Sequence, residues 1–337
     1  MATTARRSLH QRPISPGLAM EILDLRHFSS AELRALLERE AELWARTLSW
    51  DYRPSAEMIL RYLDAKILPG YAAVDAGAIH GYAFFVYEGS KGVIGDLFVD
   101  DVFGAERRIA TEQKLLSHVI ETLQHSPGIH RIEAQLLVHE AGAVAQPFVR
   151  EGFSRHARLF MSLPLAGPQA SGNGHAARQL PNIELRRWTD DDYQNAASVI
   201  TAAYRSHVDS EINDQYRTIA GSLRFLNNIV RFPGCGTFDA DSSLVAIERG
   251  TKHAIGVILC SRVKDDVGHV TQVCVLPEYR GRGIGEALIA GSAANLRQRR
   301  FSALSLTVTE DNTRAVELYK KMGFSVKRVF DAFVWEG

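Results

Sequence analysis

The sequence predicts an α/β protein that contains two tandem copies of one domain. One observation is the segment at residues 166–175, Ala-Gly-Pro-Gln-Ala-Ser-Gly-Asn-Gly-His, whose composition is typical of a flexible linker. The other is that both flanking halves run through the same succession of strand and helix patterns and close with a Gly-Phe pair, at 152–153 and 323–324. The predicted division is a disordered leader at 1–19, a first domain at 20–165, a linker at 166–182 and a second domain at 183–337.

The predicted elements follow the same order in each half. A short strand pattern opens each half, at residues 21–25 and 183–187, and helical patterns follow it. Apolar runs bounded by turn residues then predict three strands per half. These strands are expected at 70–74, 78–87 and 92–99 in the first half and at 243–248, 254–263 and 268–276 in the second. A helix that ends at the Gly-Phe pair completes each copy.

The overall composition excludes several classes of protein. The 39 basic and 39 acidic residues give a formal net charge of +0, so we expect neither a nucleic-acid nor a membrane partner. No apolar run reaches the roughly 18 residues of a membrane-spanning helix. Residues 1–19 lack the apolar core of a signal peptide, and Met20 is a second candidate for the start of the protein. The three cysteines have no metal-ligand spacing and indicate a reduced, cytoplasmic protein. We expect a monomer, because the paired domains bury the surface through which a single domain would dimerise.

The most informative motif is a glycine-rich turn between a predicted strand and a predicted helix. After the apolar run 270–276 the chain reaches Arg-Gly-Arg-Gly-Ile-Gly, and a helical pattern then continues to residue 296. Glycines leave backbone N–H groups accessible, the helix start adds partial positive charge and the arginines add cations, so the motif predicts a pyrophosphate-binding loop. The glycine spacing is not that of a dinucleotide-binding loop, and the Gly-Lys-Ser/Thr of nucleoside triphosphatases is missing. The predicted loop residues are Arg280, Gly281, Arg282, Gly283, Ile284 and Gly285.

Residues 273–285 resemble the strand and loop of the acyl-CoA-dependent N-acetyltransferases of the GNAT superfamily, and residues 312–324 resemble the last helix of that family and the strand after it. The resemblance implies that each domain is a mixed, mostly antiparallel sheet flanked by helices, and that acetyl-CoA is the co-substrate. It also implies that the strand before the loop separates from its neighbour, so that its backbone binds the pantetheine arm and the thioester oxygen. The further cofactor contacts implied in this way are Val273, Cys274, Val275 and Asn312. A helix N-cap is a compatible explanation for the asparagine.

The first half lacks the features that carry this resemblance. After the strand that ends at Val99 the chain has acidic residues at 100, 101 and 106 and a single glycine, which does not favour a pyrophosphate. Four residues before the closing glycine, the first half has Phe148 where the second has Tyr319. We therefore expect the first domain to keep the fold without binding acetyl-CoA productively.

Two side chains are candidates for the proton transfers that acetyl transfer to an amine requires. The resemblance gives Tyr319 the role of general acid, which protonates the departing thiolate, although the helical spacing around it also fits a core aromatic residue. His269 is the candidate base, because strand alternation places it on one face with Val273 and Val275 and several family members have a carboxylate there. The alternatives are a hydrogen-bonded histidine at a strand end and a base that acts through water.

The first helices of the second half and their loop supply the candidate acceptor pocket. In the resembled family this region surrounds the amine, and here residues 204–216 mix ionisable side chains with tyrosines. A solvated helix face is the alternative explanation for such a run. The candidate substrate-binding residues are Tyr204, His207, Asp209 and Glu211. Because the chain has no His-x-Glu or Cys-x-x-Cys pairing, we expect no metal.

Together these observations predict an N-acetyltransferase that moves an acetyl group from acetyl-CoA to a primary amine of a small molecule or a peptide, by direct attack within a ternary complex. The chemistry is expected in the second domain. Two alternatives use the same residues: a non-catalytic acetyl-CoA sensor or assembly module, and an enzyme that acetylates protein lysines or N-termini. Tyr319 favours an enzyme, because a sensor needs no proton donor.

Overall fold

The computed structural model describes residues 20–102, 104–166, 180–231 and 236–337. The predicted leader, most of the predicted linker and Cys235 lie outside these residues. The two halves form one continuous sheet of 13 strands that is flanked by helices.

The first half begins with a helical hairpin between its first two strands. Ser29 caps the first helix, where Glu32 Oε2 accepts a hydrogen bond from the Ser29 backbone N–H at 2.8 Å. Pro54 lies in the first turn of the second helix, where a missing N–H costs no hydrogen bond. The elements are β1 (Glu21–Asp24), α1 (Ser30–Leu48), α2 (Arg53–Asp64), β2 (Gly70–Asp75), β3 (Ala78–Glu88), β4 (Lys91–Val99), α3 (Ala105–Gln124), β5 (Arg131–Gln135), α4 (Ala145–Arg150) and β6 (Ser154–Pro164).

The second half repeats this order of elements. In both halves the strands lie where the sequence predicts them. It differs mainly by a third helix before its central strands and by a short strand that pairs only with β10. The elements are β7 (Ile183–Arg187), α5 (Tyr193–Ala203), α6 (Val208–Ile212), α7 (Ile219–Arg231), β8 (Thr237–Phe238), β9 (Leu244–Glu248), β10 (Ala254–Lys264), β11 (Val267–Val275), α8 (Ile284–Gln298), β12 (Ala303–Thr309), α9 (Thr313–Lys321) and β13 (Ser325–Glu336).

Helices cover both faces of the sheet in each half. In the first half α1 and α2 pack on the face that carries Tyr82, and α3 packs on the opposite face with Leu97. In the second half α5 and α7 pack against Leu259, whereas α8 and α9 pack against Leu306. Successive strand residues point to opposite faces, so one sheet supports apolar cores on both sides.

The last strand of each half is inserted among the strands of the other half. The strand order is β1-β2-β3-β4-β5-β13-β6-β12-β11-β10-β9-β7. β6 therefore pairs with β12 and β13 of the second half, and β13 pairs with β5 and β6 of the first half. The two exchanged strands run antiparallel, from Ser154 opposite Val334 to Ser162 opposite Ser325. Neither half has a complete sheet without the other.

The sheet is mixed and mostly antiparallel, which confirms the predicted fold class. Among the described strands, only β4 with β5 and β11 with β12 pair in parallel. Each parallel ladder is short: Val267–Val270 pairs with residues 303–306, and residues 91–94 pair with 131–134. Beyond these residues the neighbouring strands diverge and leave a gap at their carboxyl ends.

A pair of carboxyl groups lies in the core beneath α1. Glu40 is fully buried, and it accepts hydrogen bonds from Tyr82 Oη at 2.5 Å and Trp44 Nε1 at 3.3 Å. Asp96 accepts one from the hydroxyl of Tyr52. Burial raises the pKa of Glu40 well above its usual value, and the nearby Asp96 raises it further; burial also raises the pKa of Asp96. The folded protein therefore retains a proton on this pair that the unfolded chain loses at lower pH.

Glu40→Gln should make the protein more stable than the wild type at neutral and alkaline pH. A group whose pKa is raised by folding contributes stability at low pH, and this contribution is lost as the pH rises toward the folded pKa. The advantage of the variant should grow by about 1.4 kcal/mol per pH unit above the ordinary pKa of glutamate. Urea unfolding from pH 4 to 8 measures it, with Glu38→Gln on the exposed side of α1 as the control. A difference that does not change with pH would contradict the shared proton.

Candidate functional site

The gap between β11 and β12 exposes backbone groups of β11. Leu276 donates its N–H to Ile255 O at 2.9 Å. Because bonding groups alternate along an antiparallel ladder, Cys274 also directs its backbone toward β10, whereas Val273 and Val275 direct theirs into the gap. Of the three predicted contacts, the structure therefore brings two to the gap. Cys274 is buried, and burial raises the pKa of its thiol to about 12.

The glycine-rich loop leads from this strand into α8. Gly281 and Gly283 have φ angles of 80° and 85°, which residues with a side chain rarely adopt. Gly283 is the N-cap of α8, and no side chain caps the first turn of that helix. The first N–H groups of α8 thus keep their capacity to bind an anion.

The arginines of the loop have different surroundings. Arg280 donates from Nε to Val275 O at 3.3 Å and also bonds to the carbonyl of Ala203, so it connects the loop to α5. Arg282 is exposed, and its guanidinium lies 4.8 Å from the centre of the Tyr279 ring.

A third arginine near the loop was not predicted. The guanidinium of Arg314, on α9, lies 3.6 Å from the point where a Cβ would stand on Gly281. The sequence could have indicated Arg314, because this residue lies within the second motif, two residues after Asn312. Asn312 itself is the N-cap of α9, and its Oδ1 accepts from the Ala315 N–H at 3.3 Å.

Residues 204–217, which we call the acceptor segment, contact β11 and the start of α9. The hydroxyl of Tyr204 donates to Gln272 Oε1 at 2.6 Å. His207 caps α6, where its Nδ1 accepts from the Asp209 N–H at 3.1 Å, and the amide of Asn312 lies 3.4 Å from its Nε2. The segment and the start of α9 are thus in direct contact.

Asp209 is the charged group at the centre of this site. Its Oδ1 accepts a hydrogen bond from Thr309 Oγ1 and lies 3.4 Å from Nη1 of Arg158. Tyr319 is buried, and burial followed by the negative charge of Asp209 raises the pKa of its hydroxyl. The same two causes raise the pKa of Tyr204. Two neutral phenols therefore lie within electrostatic range of one carboxylate.

Glu211 does not join this cluster. It is exposed, and its backbone oxygen accepts a hydrogen bond from Arg131 of β5. The structure thus brings together three of the four predicted acceptor residues.

The prediction that His269 shares a face with Val273 and Val275 was wrong. The ladder pairs Leu259 with Gln272 but Cys260 with Val270, so β11 has a bulge between these positions. One extra residue reverses the alternation of side chains. His269 consequently packs with the core beside α1 rather than with the apolar residues beneath α8.

The surroundings of the His269 ring are also unlike those of a general base, which must be able to accept a proton. Its ring lies 4.9 Å from the ring of Trp50 and 6.0 Å from that of Phe160, and its Nδ1 is 2.9 Å from Ser305 Oγ. Burial lowers the pKa of its imidazole to about 3. A neutral ring with so low a pKa is a poor acceptor of a proton.

The corresponding gap of the first half is occupied by its own side chains. Leu97 donates its N–H to Asp96 Oδ1 at 2.8 Å, and its carbonyl accepts from His139 Nε2 at 2.9 Å. Phe148 is fully buried and stacks on Phe333, with ring centres 4.0 Å apart. These contacts leave little free backbone for a ligand.

The described ranges hold neither a metal-binding cluster nor a membrane-spanning helix. No group of three or more His, Cys, Asp or Glu side chains there has an arrangement that would hold a metal ion. No helix in those ranges combines the length and the apolar character required to span a bilayer.

Comparison with known proteins identifies the second half. The model of the "Acetyltransferase (GNAT) family" matches residues 202–324. The mycothiol acetyltransferase of Renibacterium salmoninarum is 27% identical over 212 residues, which cover 61% of this chain but only 59% of that relative, less than two thirds of its length.

Solved structures show the same fold over nearly the whole chain. A GCN5-related N-acetyltransferase from Sphaerobacter thermophilus has a TM-score of 0.65 at 17% identity, and the match covers 94% of this chain and 95% of the other. A tandem GNAT protein from the clavulanic acid biosynthesis pathway has a TM-score of 0.57 at 16% identity and covers 94% and 98%. The chain therefore has a tandem GNAT fold, as predicted.

The imidazole of His269 should stay neutral from pH 5 to 8. Its pKa of about 3 follows from burial between aromatic rings, and nearly all of its protonation would occur below pH 5. Nitrogen NMR of the histidine rings checks this, with the His269→Gln variant used to assign the signal. Free imidazole in the same buffer is the control. A midpoint near pH 6.5 would restore His269 as a candidate base.

Proposed function

Because residues 202–324 belong to the GNAT acetyltransferase family, we propose that the chain transfers an acetyl group from acetyl-CoA to a primary amine, by direct attack within a ternary complex in its second half. One observation carries the proposal. β11 separates from β12 beside the uncapped start of α8; Tyr319 packs in the same cluster as Val273 and Val275, and Asp209 bonds to Thr309 at the end of β12.

The residues around the gap fit acetyl-CoA. Anionic phosphate groups suit the free N–H groups at the start of α8, with Arg282 and Arg314 as the nearby cations. An amide-containing pantetheine arm suits the backbone N–H groups of Val273 and Val275, because donors that face no partner strand can bond to its carbonyls. The N–H groups in the gap would also polarise the thioester carbonyl.

Tyr319 is the proposed general acid. Its raised pKa keeps the hydroxyl protonated at neutral pH, so it has a proton to give to the sulfur that leaves. A thiolate in a buried site is poorly solvated and benefits from such a donor.

Asp209, rather than His269, is proposed to bind the amine and to accept its proton. A carboxylate attracts the ammonium form, and it receives the proton that the amine releases either directly or through a water molecule. His207 and Tyr204 border the same space and would orient the amine. The low pKa of His269 and its aromatic surroundings argue against this role for it.

A small-molecule amine is the proposed acceptor class. Curated relatives that align over 61% and 72% of this chain are named mycothiol acetyltransferases, after a small molecule. Asp209 is only 15% exposed and contacts Arg158 of the first half, so a compact amine would reach it more readily than a folded protein surface would. Acetylation of a peptide or protein amine is the second outcome of an acceptor screen. Tyr319, whose pKa is raised by burial and then by the charge of Asp209, favours an enzyme over a sensor, which needs no proton donor.

Calorimetric titration should find one acetyl-CoA site per chain. Gly283→Val should abolish it, because φ is 85° there and a side chain would distort the loop. Gly104→Val is the matched control: Gly104 is the N-cap of α3 in the first half and has a φ of 84°. Two sites per chain, or loss of binding in the control, would contradict placing acetyl-CoA in the second half alone.

Tyr319→Phe should lower turnover by about 100-fold while acetyl-CoA affinity stays nearly unchanged, because only the transferable proton is lost. Steady-state kinetics with the best amine of a screen, together with calorimetry, separate the two effects. Tyr193→Phe is the control, since Tyr193 packs on Trp188 at the start of α5, with ring centres 5.5 Å apart. Unchanged turnover in Tyr319→Phe would remove this residue from the mechanism.

A further inference from the structure

The acceptor segment of the second half contacts the first half at both of its ends. Near its start, Asp209 Oδ1 lies 3.4 Å from Nη1 of Arg158, which belongs to the exchanged strand β6. Near its end, Asp214 Oδ1 accepts a hydrogen bond from Lys91 Nζ, on β4, at 2.6 Å. Both donors come from the half that is not expected to bind acetyl-CoA.

Arg158 holds Asp209 against the end of β12. The side chain of Arg158 is 12% exposed and that of Asp209 is 15% exposed, so water screens the pair only in part. Arg158 Nη2 also lies 3.4 Å from Thr307 Oγ1, and Thr309 donates to the same Asp209 oxygen. A planar guanidinium bonds in fixed directions, so it fixes the direction of the carboxylate as well as its charge.

Lys91 fixes the far end of the segment. Its side chain is 5% exposed, and three carboxylates surround the ammonium: Asp214, Glu133 at 3.1 Å and Glu88 at 3.2 Å. Glu133 also accepts the Asp214 backbone N–H at 3.2 Å. A buried charge with several partners restrains both side chain and backbone.

We propose that the first half is the positioning device of the acceptor site, with Arg158 as the residue that orients Asp209. The contact between Arg158 and Asp209 is observed in the structure, whereas its consequence for catalysis rests on the proposed function. β6 can supply Arg158 because strand exchange places it beside β12, next to the diverging end of the parallel pair. The inactive copy of the domain then contributes a side chain to the site of the other copy.

A double-mutant cycle tests the proposal in the full chain. Arg158→Gln and Asp209→Asn should each lower kcat/KM for the best amine of a screen by about tenfold, and the double variant should lose no more than either single variant. The KM for acetyl-CoA should stay unchanged. Arg158→Lys should restore only part of the loss, because it keeps the charge without the planar geometry. Arg155→Gln is the matched control on the same strand, where Arg155 pairs with Asp331 at 2.9 Å.

The same variants in urea unfolding test the contact without any activity. A coupling free energy between Arg158 and Asp209, with none between Arg155 and Asp209, supports the positioning role. Additive kinetic effects would overturn it, as would additive effects in unfolding or a loss of acetyl-CoA affinity in Arg158→Gln. If the wild type acetylates no amine, the proposed function falls, and the unfolding cycle alone decides whether Arg158 holds Asp209.

Discussion

The antiparallel pairing of β6 with β13 at the centre of the sheet is the constraint on which the rest of this structure depends. Each of these strands pairs on both edges with strands of the opposite half. If the halves separated, the edges of both strands would lose their hydrogen bonds, each worth about 1 kcal/mol, so each half is stabilised by the other. The exchange also explains why an arginine from the first half reaches the site of the second.

The two halves show how one architecture gives an open gap in one place and a filled gap in another. Both parallel pairs diverge after four paired residues. In the first half Asp96 and His139 satisfy both the N–H and the carbonyl of Leu97. In the second half Arg280 and Tyr204 bond to the carbonyls of Val275 and Val273, and the N–H groups of these two residues face the gap beside a helix start that no side chain caps. Divergence alone therefore does not make a binding site. The residues around the gap decide whether its backbone groups are available.

Burial sets the protonation state of the two tyrosines in the candidate site. Tyr319 and Tyr204 are kept neutral by burial and by the charge of Asp209, and Asp209 keeps its position through Thr309 and Arg158. These residues come from an exchanged strand, the acceptor segment, β12 and α9. Because the contacts cross four parts of the chain, a change in any one of them alters the electrostatics of the others.

The tandem α/β fold, the strand positions, the glycine-rich loop and the place of Tyr319 in its motif could be predicted from the sequence, because apolar periodicity and glycine spacing are local properties of the chain. Two features depend on long-range pairing and emerged only from the folded structure. A bulge in β11 moved His269 away from the face of Val273, and no pattern of side chains marks a single inserted residue. The exchange of β6 and β13 depends on which strand edges meet, and it brought Arg158 to Asp209 across the repeat. Strand pairing between distant segments is set by packing of the whole sheet, which local sequence does not encode.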